Sequence, residues 1–272
     1  MENIMKKLFT ILLLMGVALS VFATQKALVI GNSAYPGKAL AHPALEAART
    51  DSVLAGYGWQ VTRLTNLTAA NMKSSISQFS QGISASDTVL VVFSGGAVQL
   101  DGKNWLIPTG KTFADAATFK IQAVSVDSLL SQLAKASLRL VFVDGAYQTS
   151  AVSFKLAASG LAPIARLAPN TLVIFNAPAH TWADSTNGYS NKLLPSLRAR
   201  IAIYALPVTE LRTNIINDIS QPAGTRGITP PWFLNSIGDA IRVNPPPASE
   251  GQKFHYKGFD LYDTDGGGSY SF

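Results

Sequence analysis

From Gln25 onward the apolar residues fall into two alternating patterns. Short continuous runs come first: Lys26-Ala-Leu-Val-Ile30, Trp59 to Leu64, Asp87-Thr-Val-Leu-Val-Val-Phe93, Leu138-Arg-Leu-Val-Phe-Val143 and Thr171-Leu-Val-Ile-Phe175. Runs of this length without alternation predict strands covered on both faces. Between them lie stretches of helical period. Pro43 opens one with Leu45, Ala48, Val53 and Leu54 on one side, closed by Gly56 and Gly58. Asn66 or Thr68 caps a second, over 69–81, in which Met72, Ile76 and Phe79 share a face. Further helices are expected over 124–134, 188–197 and 208–219. Asp101-Gly102, between Val98-Gln-Leu100 and Asn104 to Ile107, is the signature of a tight hairpin.

Strands alternating with helices predict an α/β fold, a mostly parallel sheet with helices on both faces. In such sheets functional groups gather beyond the carboxyl ends of the strands. That singles out Ser94-Gly-Gly-Ala97 and Asp144-Gly-Ala-Tyr147.

The two termini follow other rules. Lys6-Lys7 precedes an apolar run over 8–23 that closes on Val21-Phe22-Ala23, the layout of a secretory signal peptide (residues 1–23) cleaved near Thr24. The run is shorter than the roughly 20 residues needed to cross a bilayer, so the exported chain is expected to lack a transmembrane segment. Residues 24–244 are expected to form one domain, and the protein to be periplasmic or secreted. Pro245-Pro-Pro247 opens a Pro- and Gly-rich segment, 245–272, expected to be a flexible tail. Asp263-Thr-Asp265-Gly266 lacks the later ligands of a calcium loop, and no metal or other cofactor is expected.

Composition removes several classes of chemistry. The chain has 47% hydrophobic and 14% charged residues, which suits a large buried sheet. It has no cysteine, so disulfides, thiolate metal sites and thiol nucleophiles are all excluded. The net charge of +6 comes from scattered Lys and Arg with no aromatic–basic alternation, and nucleic-acid binding is not expected.

The strand-end motifs resemble those of the bacterial caspase-like proteases, the orthocaspase and metacaspase group of peptidase family C14 in clan CD. The likeness rests on Ala27-Leu-Val-Ile-Gly-Asn32 with Tyr35, then Leu40-Ala-His-Pro-Ala-Leu-Glu-Ala47 and Gly58-Trp-Gln-Val61. It continues through Ser94-Gly-Gly-Ala97, Trp105-Leu-Ile-Pro108 and Asp144-Gly-Ala146, and onward in family order to Pro231-Trp232. The resemblance implies a caspase-like three-layer sandwich built on a sheet of about six strands. It also implies a Cys nucleophile and a His partner at the tips of two neighbouring strands. Here Gly96 stands at the His position and Ala146 at the Cys position, and neither carries a group that moves a proton or attacks a carbonyl.

In the family an acidic pocket favours an Arg or Lys side chain. Asp144 matches that position, Glu46 replaces an Asp, and Asp184 lies in a corresponding region. Ser94, Tyr147 and Trp182 flank them. Asp144 either meets an incoming guanidinium or ties down its own loop. The expectation is a pseudoenzyme, a non-catalytic caspase-like module binding a protein or peptide segment that presents a basic residue. Two alternatives stand beside it: a scaffold pairing with itself or an active paralogue, and a hydrolase rebuilt from Ser94, Tyr147 or Thr149 with His180. His42 and His255, the other two histidines, fall in no recognisable dyad.

Overall fold

The computed structural model describes residues 24–183, 191–203, 206–220, 233–237, 242–243, 253–256 and 259–262. Residues 1–23, expected to be a signal peptide, and Asp184, Gly188-Tyr189, Pro231-Trp232 and Asp263 to Gly266 lie outside the described residues. No described helix is long and apolar enough to cross a membrane.

The apolar runs form the strands expected of them. β1 (Gln25–Gly31), β2 (Gln60–Thr65), β3 (Thr88–Ser94), a hairpin of β4 (Ala97–Leu100) and β5 (Lys103–Leu106), a short β6 (Val124–Ser125), β7 (Leu138–Asp144) and β8 (Thr171–Phe175) follow in order. After them come β9 (Leu206–Pro207), β10 (Phe233–Asn235), β11 (Arg242–Val243), β12 (Lys253–Tyr256) and β13 (Phe259–Tyr262). The main sheet has the order β10-β8-β7-β3-β1-β2. Its five inner-to-edge strands from β8 to β2 run parallel, and β10 pairs antiparallel with β8. All seven residues of β7 and all five of β8 are buried, because helices cover both faces of a parallel sheet. The register aligns Gly31 with Ser94 and Ser94 with Asp144. Three strands therefore end in one row, and the two motifs singled out by sequence leave the sheet side by side.

The helices are α1 (Pro43–Gly56), α2 (Ala69–Gln81), α3 (Ala116–Gln122), α4 (Val126–Gln132), α5 (Leu193–Ile201) and α6 (Val208–Ser220). α1 bears out only part of the expected face. Leu54 is buried and Val53 packs against the core, but the other inward residues are Pro43, Glu46, Ala47 and Thr50, and Leu45 is exposed. A helical stripe containing Glu and Thr is invisible to a count of apolar positions alone. The expected helix over 124–134 divides instead. β6 continues the hairpin sheet, and Ser125 then caps α4 by accepting a hydrogen bond from the Ser128 N–H at 3.1 Å. α3 was not expected; its start is fixed by Asp115, which accepts from the Thr118 N–H at 2.7 Å. Thr68 stands at the start of α2 without a side-chain cap. Asn66 instead turns back, in a left-handed conformation, to accept from the N–H groups of Ser33 and Ala34.

Asp101 and Gly102 both have positive φ, 53° and 71°, the twist-matched turn expected from the dipeptide. The hairpin sheet packs over a small second core of Tyr35, Val98, Ile107, Phe113, Phe119, Ala123 and Ala151. Phe113 and Phe119 meet edge to face at 5.3 Å there. In the segment expected to be a tail, β12 and β13 pair antiparallel. Phe254, Tyr256, Phe259 and Leu261 alternate around Lys257-Gly258, a short pattern masked by the surrounding Gly and Asp.

Gly31 is where β1 meets the start of α1. A Cβ there would lie 2.4 Å from the Pro43 carbonyl oxygen and 2.8 Å from the Ala47 Cβ. Both are fixed atoms, so Gly31→Ala is expected to push α1 off the sheet. The cost is about 1–3 kcal/mol, read as a lower midpoint in urea with an unchanged slope.

Candidate functional site

The site is built from the segments that leave β3 and β7. Asp144 ends β7 with its side chain buried, and its two oxygens are both occupied. Ser94 Oγ donates to Oδ2 at 2.9 Å and the Tyr147 hydroxyl donates to Oδ1 at 2.6 Å. Burial pushes the Asp144 carboxyl up to about 6, against the pull of those hydrogen bonds; the negative charge of Glu46 adds to the rise. Burial also holds the Tyr147 phenol neutral far beyond the usual range, reinforced by the adjacent Asp144 charge. The pair is thus a neutral hydroxyl facing a strained carboxylate.

Beyond the strand ends, the backbone N–H groups of Gly95 to Ala97 and of Gly145 to Tyr147 are all spent inside the protein. Gly95 N–H donates to the Asp144 carbonyl at 3.1 Å and Ala97 N–H to the Gly145 carbonyl at 2.7 Å. Gly96 N–H donates to the Tyr35 hydroxyl at 2.8 Å, and that hydroxyl donates onward to the Ile107 carbonyl at 3.0 Å. On the other tip, Asn176 Oδ1 accepts from the N–H groups of Gly145 and Ala146, at 3.2 and 3.0 Å. Tyr147 N–H closes a tight turn on the Gly145 carbonyl at 2.7 Å, and the Ala146 carbonyl accepts from Ala183 N–H.

Side-chain space at the two positions is tightly bounded. A Cβ at Gly96 would lie 3.1 Å from Thr149 Cγ2 and 3.4 Å from Ile107 Cδ1. Ala146 is 1% exposed. Thr149, a candidate nucleophile only in the alternative hydrolase reading, packs against the position opposite. Asn176 and Tyr35 were not anticipated as site residues. Asn176 is the first polar residue after β8, at the same sheet edge as the two tips, and that position was its only signal.

The remaining predicted residues divide. Glu46 is buried and binds Arg198 Nη1 through Oε2 at 2.6 Å and Arg49 Nη1 through Oε1 at 3.1 Å. It clamps α1 to α5 instead of offering a free carboxylate to a pocket. Trp182 is half-buried, both packed against the second core and lining a cleft. Asp184 lies outside the described residues. Ser94 and His180 are not brought together: Ser94 faces Asp144, and His180 Nδ1 pairs with Gln99 Nε2 at 2.8 Å on β4. The side chain of His255, in β12, is not described.

Two cavities open here. The smaller, about 140 Å³, is bordered by Leu40, His42, Pro43, Ser94, Asp144 and Tyr147. The larger, about 370 Å³, lies beside the Ala146 tip between Lys38, Val98, Thr149, Val152, Leu156 and Trp182. A third cleft of about 510 Å³, between β2 and α2, is lined by Val61, Leu64 and Phe79 with Lys26 as its one charged group.

Comparison with known proteins agrees with this architecture. No curated protein matches the sequence. Among solved structures, one described as pro-sf-caspase-1 superposes with a TM-score of 0.54 at 13% identity, covering 79% of this chain and 92% of its own. At that identity the likeness is one of fold. The family described as Caspase domain matches residues 24–197, well over half of the sequence. The chain belongs to the caspase domain family of C14 peptidases.

Proposed function

We propose that this protein is an exported, non-catalytic member of its family that binds a peptide or protein segment without cutting it. The observation that carries the reading is the closed hydrogen-bond accounting at the two strand tips. A protease needs a nucleophile, a proton carrier and unpaired donors for the oxyanion. The chain contains no cysteine, Gly96 and Ala146 bring neither reactive group, and the six N–H groups from Gly95 to Ala97 and Gly145 to Tyr147 already have acceptors. Even the ~10³–10⁴-fold rate over water that oxyanion donors and binding retain after loss of a catalytic triad has none of these six donors to draw on.

The 370 Å³ cleft offers a binding surface of the right kind, with apolar walls from Val98, Val152, Leu156 and Trp182 and polar groups from Lys38 and Ser150. Fluorogenic Arg- and Lys-containing peptides are expected to show no turnover above a buffer blank. Turnover that disappears in Ser94→Ala or His180→Ala would reverse the reading. Calorimetry with hexapeptides differing only in Arg or Ala at one position measures binding. Ser150→Trp, which fills the cleft, is expected to weaken that binding at least tenfold.

A scaffold role is favoured by one observation: Tyr147 already occupies the acid that a basic residue would seek. Light scattering separates the two readings. A stable oligomer without peptide affinity supports the scaffold; a monomer with affinity supports the binding module.

A further inference from the structure

Asp87 immediately precedes β3 at the end of the sheet opposite the candidate site, and its side chain is 2% exposed. Oδ2 accepts from Lys26 Nζ at 2.8 Å and from Ser84 N–H at 2.8 Å. Oδ1 accepts from the backbone nitrogen of Thr24 at 3.3 Å. Thr24 is held there independently, since its carbonyl accepts from Thr88 N–H at 3.0 Å. These bonds hold the Asp87 carboxyl below the usual range despite the opposing effect of its burial. Lys26, on β1, is the cation that faces it.

Thr24 is also the residue that follows Val21-Phe-Ala23, the segment with small residues where a signal peptidase reads. Gln25 already belongs to β1. A cut after Ala23 therefore leaves one residue ahead of the sheet, and the new terminus has no slack with which to leave Asp87.

We propose that signal peptidase cleaves the Ala23–Thr24 bond and that the α-ammonium so created forms an ion pair with Asp87, locking the start of β1 to the start of β3. The proposal rests on the export reading above. In the cut, the oxygen of water bonds to the Ala23 carbonyl carbon as the C–N bond breaks, and the Thr24 nitrogen takes a proton. At neutral pH the leader then carries a carboxylate and Thr24 an ammonium. The amide N–H at 3.3 Å is replaced by a charged group with three donors, whose bonds to carboxylate are shorter and stronger. Export and final stability are coupled: the precursor lacks a contact that the mature protein gains.

The test uses the exported protein. Intact mass is expected to show a chain beginning at Thr24. A precursor with Gly-Ser inserted between Ala23 and Thr24, its new terminus confirmed by mass, is expected to yield a protein melting about 2–4 °C lower. The difference should vanish in Asp87→Asn and persist or grow in Lys26→Gln, where the ammonium is the remaining cation. An unprocessed precursor overturns the export reading together with this proposal. Processing at another bond overturns the proposal alone. So does an insertion that leaves the melting temperature unchanged, or one that lowers it equally with and without Asp87.

Discussion

Glu46→Ala is expected to lower the melting temperature by about 10 °C while leaving peptide binding in the cleft unchanged. Glu46 is 4% exposed and the Arg198 side chain 13%, so the pair sits out of water between α1 and α5. Removing the carboxylate strands the guanidinium, whose only other partner among the described residues is Thr50 Oγ1 at 3.3 Å. Breaking one side of such a pair costs about 3–5 kcal/mol, and each kcal/mol shifts the midpoint by roughly 2–4 °C in a domain of 150–250 residues. Arg49 contributes little, being mostly exposed. A double replacement, Glu46→Leu with Arg198→Met, is expected to recover most of the loss, because a well-packed apolar pair has no desolvation cost to offset. Thermal denaturation reads the stability and calorimetry reads the binding. Loss of peptide affinity in Glu46→Ala at a temperature where the variant is folded would return Glu46 to the binding site.

That residue marks the limit of what the sequence discloses. The strand runs were legible because burial on both faces leaves an unbroken apolar signal, and the parallel order follows from their alternation with helices. The row of strand ends was legible too, since a parallel sheet sets Ser94 beside Asp144 once the register is given. Glu46 was singled out by the resemblance, but its partner lies 152 positions along the chain, and nothing local announces Arg198. Asn176 was missed for the same reason. α3 escaped because a seven-residue helix shows too few turns for its period to register, although Asp115 three residues before Thr118 is a capping pattern. That the chain has no cysteine, and that Gly96 and Ala146 stand at the motif positions, could be seen in the letters alone. The paired N–H groups at Gly96, Gly145 and Ala146 could not, because their acceptors, Tyr35 and Asn176, reach the tips from other strand ends.

Asp144 supplies the second large effect, and its sign is opposite to that of most carboxylates. Its folded value of about 6 lies above the ordinary unfolded value near 3.9. Below about pH 4 both states are protonated and the residue contributes nothing. Between about pH 4 and 6 the folded state holds the proton that the unfolded state has released, so stability falls as pH rises. Above that window the ionised, buried group costs on the order of 3 kcal/mol, from about two units at 1.36 kcal/mol each. Asp87 and Asp218, whose values are lowered by their cationic partners, work the other way, and their stabilisation is lost only as pH falls below the unfolded range. Asp144→Asn is therefore expected to match or exceed the parent at pH 7.5, by up to roughly 6–12 °C in midpoint, with the difference gone near pH 4. A variant that is weaker at both pH values to the same extent would mean that the Ser94 and Tyr147 hydroxyls fully offset the burial. The same carboxyl distinguishes the two readings of the pocket. A guanidinium that displaces Tyr147 must ionise Asp144, so at pH 5.5 an Arg-containing hexapeptide would release a proton on binding, seen as a heat that varies with the ionisation enthalpy of the buffer. A peptide seated only in the cleft beside Trp182 leaves Tyr147 in place and releases none.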